Sequence, residues 1–167
     1  MTAHDFDPVE RFVVGTVGPP GQRVFFLQAR TGSRLASVSL EKVQVSLLAE
    51  RLGTLIEASG VESVSGFIDN ESLEAPIEDE FRVQAIGLQW DGGRERVVIE
   101  CHDHDPEDEE QAATGQSMRV VLTAPQVLEF CRRAEAIVSA GRPPCPFCGQ
   151  PLDTTGHLCP RANGYKR

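Results

Sequence analysis

Phe81-Arg82-Val83-Gln84-Ala85-Ile86-Gly87 repeats a frame, Phe-x-Val-x-x-[Val/Ile]-Gly, already present at Phe12-Val13-Val14-Gly15-Thr16-Val17-Gly18. The residues after each copy are alike too. The first runs through Gly18-Pro19-Pro20-Gly21, where glycine tolerates positive φ and proline fixes its own, into the apolar run Val24-Phe25-Phe26-Leu27. A second turn at Thr31-Gly32-Ser33 leads into Arg34-Leu35-Ala36-Ser37-Val38, which alternates as a half-buried strand does. The second copy meets a hairpin signal at Asp91-Gly92-Gly93, then Val97-Val98-Ile99-Glu100, and later Met118-Arg119-Val120-Val121-Leu122. Each copy predicts a three-stranded meander.

A helix follows each meander. Ser39 is placed as the first N-cap, with Glu41 in the first turn where the helix dipole favours an anion, and Gly60 as a left-handed stop. Leu40, Val43, Leu47, Leu48, Leu52 and Leu55 fall on one predicted face. Thr123 caps the second helix, whose predicted face is Ala124, Val127, Leu128, Cys131, Ala134 and Val138, and Gly141 with Pro143 and Pro144 ends it. One such half buries only one face of its sheet and needs the other to complete a core. The expected fold is therefore α+β: a duplicated pair of βββα halves with a C-terminal zinc knuckle. Residues 1–60 form the first half, 61–80 an acidic linker, 81–141 the second half with an acidic loop at 100–116, and 142–167 the zinc-knuckle tail.

Charge is unevenly spread over the 167 residues, whose formal net charge is −9. Leu52 to Phe81 holds eight carboxylates and no Lys or Arg, and Glu100 to Glu110 another seven, which predicts a solvated, mobile loop. A net negative charge disfavours nucleic acid as the default partner. No apolar run approaches the roughly 20 residues of a membrane span, and the Met1-Thr2-Ala3-His4-Asp5 start lacks the features of a signal peptide, so a cytoplasmic protein is expected. Thiols and metal are then expected in preference to disulfides.

The chemistry-bearing residues gather at the end, in Cys145-Pro146-Phe147-Cys148-Gly149 and Gly156-His157-Leu158-Cys159-Pro160. Zinc takes four tetrahedral N/S ligands, and Cys-x-x-Cys-Gly bends the backbone so that both thiolates face one ion. Position 162 is Ala, so no second Cys-x-x-Cys forms; His157 and Cys159, two apart on an extended segment, complete a Cys₃His set. With all four positions filled by protein, the site is read as structural zinc. Pro144-Cys145-x-x-Cys148 matches half of the zinc deaminase signature, but none of the histidines supplies the other half, His-x-Glu. His102 and His104 would share a face of a continuing strand. They are candidates for a second metal site, or for an alternative fourth zinc ligand ranked behind His157.

No dinucleotide, phosphate-loop or nucleophile-elbow motif is present. Trp90, beside the hairpin, reads as a packing residue. The basic tail contains Arg161, Tyr165, Lys166 and Arg167 and is a candidate docking surface. The expected function is accordingly a non-enzymatic binding or regulatory protein, with a protein partner engaged through the knuckle and tail. One alternative is a metal-dependent enzyme acting on a small or nucleotide-like substrate between the halves. Another is RNA or DNA binding through the tail.

Several stretches together resemble a conserved actinobacterial family described only as a domain of unknown function. They are Phe6-Asp7-Pro8-x-Glu10-Arg11-Phe12, Phe25-Phe26-Leu27-Gln28-Ala29-Arg30, Leu40-Glu41-Lys42, Glu80-Phe81-Arg82-Val83 and the Cys-Pro-x-Cys-Gly…Gly-His-x-Cys-Pro-Arg-x-Asn-Gly-Tyr ending. The resemblance covers essentially the whole chain. It implies an actinobacterial, cytoplasmic protein and carries no activity or catalytic residue with it.

Overall fold

The structure is a computed structural model that describes residues 2–19, 21–62 and 66–140. Along these residues run β1 (Thr2–Phe6), β2 (Arg11–Val17), β3 (Val24–Thr31), β4 (Arg34–Leu40), α1 (Lys42–Ser59), β5 (Asp79–Arg82), β6 (Ala85–Asp91), β7 (Arg96–His102), α2 (Glu109–Thr114), β8 (Gln116–Leu122) and α3 (Ala124–Ser139). They form a mixed α+β fold of two four-stranded sheets, ordered β2-β3-β4-β5 and β1-β8-β7-β6. Both predicted meanders are present and antiparallel.

Each sheet carries a fourth strand that the alternation of apolar residues does not announce. β1 precedes the first meander yet pairs in parallel with β8 of the second, and β5 precedes the second meander yet pairs in parallel with β4 of the first. Ala3, Asp5, Asp79 and Glu80 are poor strand formers. An edge strand needs only backbone partners and an anchor, and Phe6 and Phe81, 2% and 6% exposed, provide the anchors. Residues 79 and 80 of the expected linker thus belong to a sheet.

The ladders also give a different pairing of the halves from the Phe12/Phe81 frame. β2 and β3 are in register from Arg11 with Arg30 to Val17 with Val24, and β6 and β7 from Ala85 with His102 to Asp91 with Arg96. Phe12 therefore corresponds to Ile86, while Phe81 lies in β5. Leu40 pairs with Phe25 and Leu122 with Val97, and in each case the next residue is a helix N-cap.

Those N-caps are Glu41 and Thr123. Ser39, the expected cap, is still in β4 and gives its hydroxyl to Asp79 Oδ2 at 2.6 Å. The third residue of each helix is a glutamine with the same double task. Gln44 Oε1 accepts from the Glu41 amide (2.7 Å) while its Nε2 donates to the Val83 carbonyl (3.2 Å). Gln126 Oε1 accepts from the Thr123 amide (2.8 Å) while its Nε2 donates to the Val9 carbonyl (2.8 Å). The same two valines donate their amides to the opposite meander, Val83 to Ser39 (2.8 Å) and Val9 to Val121 (3.3 Å). Each helix start therefore fastens the chain where it leaves the exchanged strand.

The helices pack on one another, α3 across β2 and α1 across β6. Phe12 stacks on Phe130 at 5.0 Å between centroids, and the Cys131 thiol donates to the Ala49 carbonyl at 3.4 Å. One core results, with members from both halves. The buried stripe of α1 is Val45, Leu48, Ala49, Leu52 and Ile56, rotated from the predicted face. Val43 is 71% and Leu47 45% exposed. This helix is apolar around enough of its circumference to support two overlapping stripes, and packing against α3 selects one.

The acidic segments are more ordered than their composition suggests. Within 100–116, Asp108 caps α2 by accepting from the amides of Glu110 (3.0 Å) and Gln111 (3.3 Å). After α1 and its left-handed C-cap Gly60, the described part of the linker lies over the first sheet. Glu74 exchanges both backbone hydrogen bonds with the buried side chain of Gln28 (2.7 and 2.9 Å). Leu73 sits so close over Gly15 that a Cβ there would force it to move.

Replacing Gln44 or Gln126 by Ala removes two hydrogen bonds at once and should lower stability by about 1–2 kcal/mol each in urea unfolding. Gln89→Ala, on the exposed side of β6, should stay within about 0.5 kcal/mol of the parent. Equal effects at all three positions would show that the helix starts do not hold the exchanged strands.

Candidate functional site

The densest polar cluster joins β2, α3 and the linker. Arg11 grips the Asp69 carboxylate with Nε at 2.7 Å and Nη2 at 3.0 Å. The Asp69 amide donates to Glu129 Oε2 at 2.7 Å, and Arg132 clasps Glu129 with Nε (2.8 Å) and Nη2 (2.6 Å). Arg133 reaches past them to the Val14 and Asp69 carbonyls at 2.7 and 2.9 Å. Arg30 pairs with Glu74 at 2.8 Å. Glu129 and Arg133 are almost wholly buried, at 2% and 7% exposure.

The electrostatics follow from these contacts. The Arg11 guanidinium, together with the Glu71 amide, holds the Asp69 carboxyl below its ordinary range against the opposing effect of burial. Arg132 does the same for Glu129. Burial pulls Arg133 below the usual arginine value. Both carboxylates are ionised at neutral pH with their lone pairs taken by guanidinium and amide donors, so neither is available to shuttle a proton. The cluster suits fastening the linker across two elements.

No apolar periodicity finds Glu129 and Arg133, because they interrupt the stripe they belong to. The signal for them is a complementarity: a stretch of eight carboxylates without a cation, and Arg11, Arg30, Arg132 and Arg133 elsewhere to meet it.

His102 closes β7 and His104 stands in the turn beyond, so the strand does not continue through both. Their rings nevertheless meet, 5.2 Å apart and edge to face. His104 Nδ1 is 2.7 Å from Asp103 Oδ1, and its ring lies against the Cα of Gly115, where a Cβ would collide with it. His104 Nε2 and His102 Nδ1 are buried without a hydrogen-bond partner, as is His4 Nε2. Burial lowers the His102 pKa more than Glu100 raises it, which favours the neutral ring. Burial also raises the Asp103 carboxyl, but the Gln116 amide and His104 outweigh it and leave the group below its ordinary value. Among the described residues, no three His, Cys, Asp or Glu side chains are placed to hold one metal ion.

Cys101 is fully buried, which pushes its thiol up to about 12, and Cys131 is raised to about 11 chiefly by burial. Both are protonated at neutral pH and suited to packing. An open groove of about 350 Å³ lies between α1 and β6, lined by Leu47, Leu48, Ile86 and Leu88 among others. The expected zinc ligands Cys145, Cys148, His157 and Cys159 and the docking residues Arg161, Tyr165, Lys166 and Arg167 lie outside the described residues. Among those described, no helix is long and apolar enough to cross a membrane.

A family model described as "Protein of unknown function (DUF3090)" matches residues 4–159, and the chain belongs to that family. No curated protein and no solved structure matches it.

Asp69 and Glu129 have folded-state values below their unfolded ones. Their contribution to stability is therefore complete at neutral pH and is lost as pH falls through the carboxylate range, below about 4. Asp69→Asn should cost about 3 kcal/mol at pH 7. Its stability should also fall less steeply than the parent's between about pH 5 and pH 2. Parallel acid limbs in urea titrations of the two proteins would contradict the assignment.

Proposed function

We propose that this member of the family is a non-enzymatic binding or regulatory protein whose interaction surface is residues 142–167, ordered around a structural zinc ion. The observation that carries this reading is the commitment of polar chemistry in the described domain. Its buried carboxylates are saturated by Arg11, Arg132 and backbone amides, and its two thiols are held protonated by burial. The C-terminal segment brings together thiols, an imidazole and a basic tail that the described domain does not use.

The donor set there suits zinc. Three thiols and an imidazole, at Cys145, Cys148, Cys159 and His157, match a closed tetrahedral site, and Gly149 permits the tight turn after the first pair. Zinc bound there would give shape to a segment too short to bury a core of its own. Arg161, Lys166 and Arg167 then form a basic surface, with Tyr165 among them, on a chain of net charge −9. Such a surface suits an acidic face of a protein partner. The matched registers and the paired glutamines support reading the two halves as copies of one unit.

One observation favours a second reading, a metal-dependent enzyme. The rings of His102 and His104 lie 5.2 Å apart, and each holds a buried nitrogen without a hydrogen-bond partner.

Metal analysis of the purified full chain should find about one zinc per chain, with lower thermal stability after chelation. Cys148→Ser should lose the metal, and binding to an isolated partner should fail for this variant and for the chain lacking residues 142–167. A metal-free protein of unchanged stability would overturn the reading. Zinc with a water-occupied coordination position would favour the enzyme.

A further inference from the structure

Four strands stand at the edges of the two sheets, β2 and β5 of one and β1 and β6 of the other. An edge strand offers unpaired backbone N–H and C=O groups to any extended chain, and three of these edges are guarded against that. β1 and β5 are short, at five and four residues, and carry His4 and Asp5 in one case and Asp79, Glu80 and Arg82 in the other. β2 is covered: Phe12 to Gly15 are buried, Arg133 Nε donates to the Val14 carbonyl at 2.7 Å, and Leu73 lies over Gly15. Among the described residues β6 has no such guard. It is seven residues long, keeps one register with β7 from Ala85 to Asp91, holds no proline and is uncharged until Asp91. A Cβ on Gly87, at its middle, would meet nothing within 4 Å.

Beside that edge α1 carries an exposed row. Val43, Leu47 and Arg51 recur every fourth residue and so lie above one another on the helix, and all three are exposed. Leu47 and Arg51 meet Ile86 and Leu88 of β6 across the open groove of about 350 Å³, with the buried Leu48 behind them. A strand added to β6 lies about 5 Å from it and turns alternate side chains to one face. Its alternate side chains would therefore enter this groove.

The lining decides what such a strand must carry. Leu47, Leu48, Ile86 and Leu88 suit an aliphatic side chain. Arg51 is the one charged residue in the lining among the described residues, and no described group accepts a hydrogen bond or an ion pair from it. A carboxylate two residues from the aliphatic side chain stands on the same face of a strand and can meet that guanidinium. The chain's net charge of −9 opposes an acidic ligand at a distance. At physiological salt, however, exposed charges beyond about 8 Å are largely screened, and Arg51 is the charge that a carboxylate in the groove meets.

We propose that the edge of β6 and the groove beside α1 form a strand-addition site for an extended segment of a partner protein, one with an aliphatic and an acidic residue two positions apart. Backbone pairing with β6 holds the segment, the aliphatic side chain fills the apolar part of the groove, and the carboxylate on Arg51 fixes the register. The inference goes beyond the zinc reading and does not rest on it, because every residue it uses lies before residue 142.

Selection from a randomised ten-residue peptide library on the full-length chain tests this, followed by NMR titration with the recovered peptides. They should share an aliphatic and an acidic residue two positions apart. They should shift the amides of β6 and the methyls of Leu47 and Ile86 while the amides of β3 stay in place. Arg51→Gln, at an exposed position, should weaken binding about threefold or more, and should have little effect on the same peptide with its acid replaced by the amide. Methylating the peptide's pairing backbone nitrogens should abolish binding. Recovery of no peptide, peptides without the pattern, shifts confined to other elements, or equal binding by Arg51→Gln would overturn the proposal. So would β6 amides that shift with protein concentration alone, since a second copy would then be the occupant. Cross-peaks in the peptide-free protein between Ile86 methyls and residues beyond 140 would overturn it too, by making the chain's own segment the occupant.

Discussion

β1 and β5 are exchanged between the halves, and everything else in the fold depends on that exchange. Each is a short, polar edge strand whose hydrogen bonds are made to the other half's last strand. Neither sheet is complete on the residues of its own half. Gln44 and Gln126 reinforce the exchange, because the side chain that starts each helix also holds the carbonyl of the valine next to the incoming strand. Arg34 of β4 adds a further tie, with its guanidinium 4.6 Å above the Phe6 ring of β1. Individual bonds of this kind contribute about 1 kcal/mol net, so their weight comes from being mutually required.

The same constraint explains why charges are buried where they are. A linker that must cross from α1 to β5 passes over the edge of the first sheet, where it can bury little apolar surface. Asp69 and Glu74 fasten it through Arg11, Arg30 and Gln28, and Glu129 and Arg133 support Asp69 from α3. Removing one member leaves an uncompensated charge, whereas replacing all of them with apolar groups need not be costly. At the matching positions of the second half stand Ala85 and Leu47, in place of Arg11 and Glu129. The packing of α3 on β2 and of α1 on β6 therefore differs in chemistry although the positions correspond.

The parts of the fold legible in the sequence are those with strong apolar patterns. The meanders at Arg11–Leu40 and Ala85–Leu122 and the helices after them are readable because their strands and stripes face one core. β1 and β5 are not readable, since parallel pairing to a distant strand leaves no local signature beyond a single phenylalanine. The helix caps illustrate a nearer limit. Ser39 has the right chemistry for a cap but is held in β4 by pairing with Phe26, and the cap moves to Glu41. Of the candidate site, the contact of His102 with His104 follows from their spacing, whereas the Asp69 cluster depends on residues separated by about sixty positions and emerges only from the fold.

If the exchanged strands make the halves interdependent, the two sheets must open together. Native-state hydrogen exchange across a denaturant series reads this directly at the amides of β3, central to one sheet, and β7, central to the other. Both sets should converge on one free energy of opening, equal to that of global unfolding. A β7 set that opens at distinctly lower free energy while β3 stays protected, or the reverse, would show that the sheets stand independently and would contradict the interdependence.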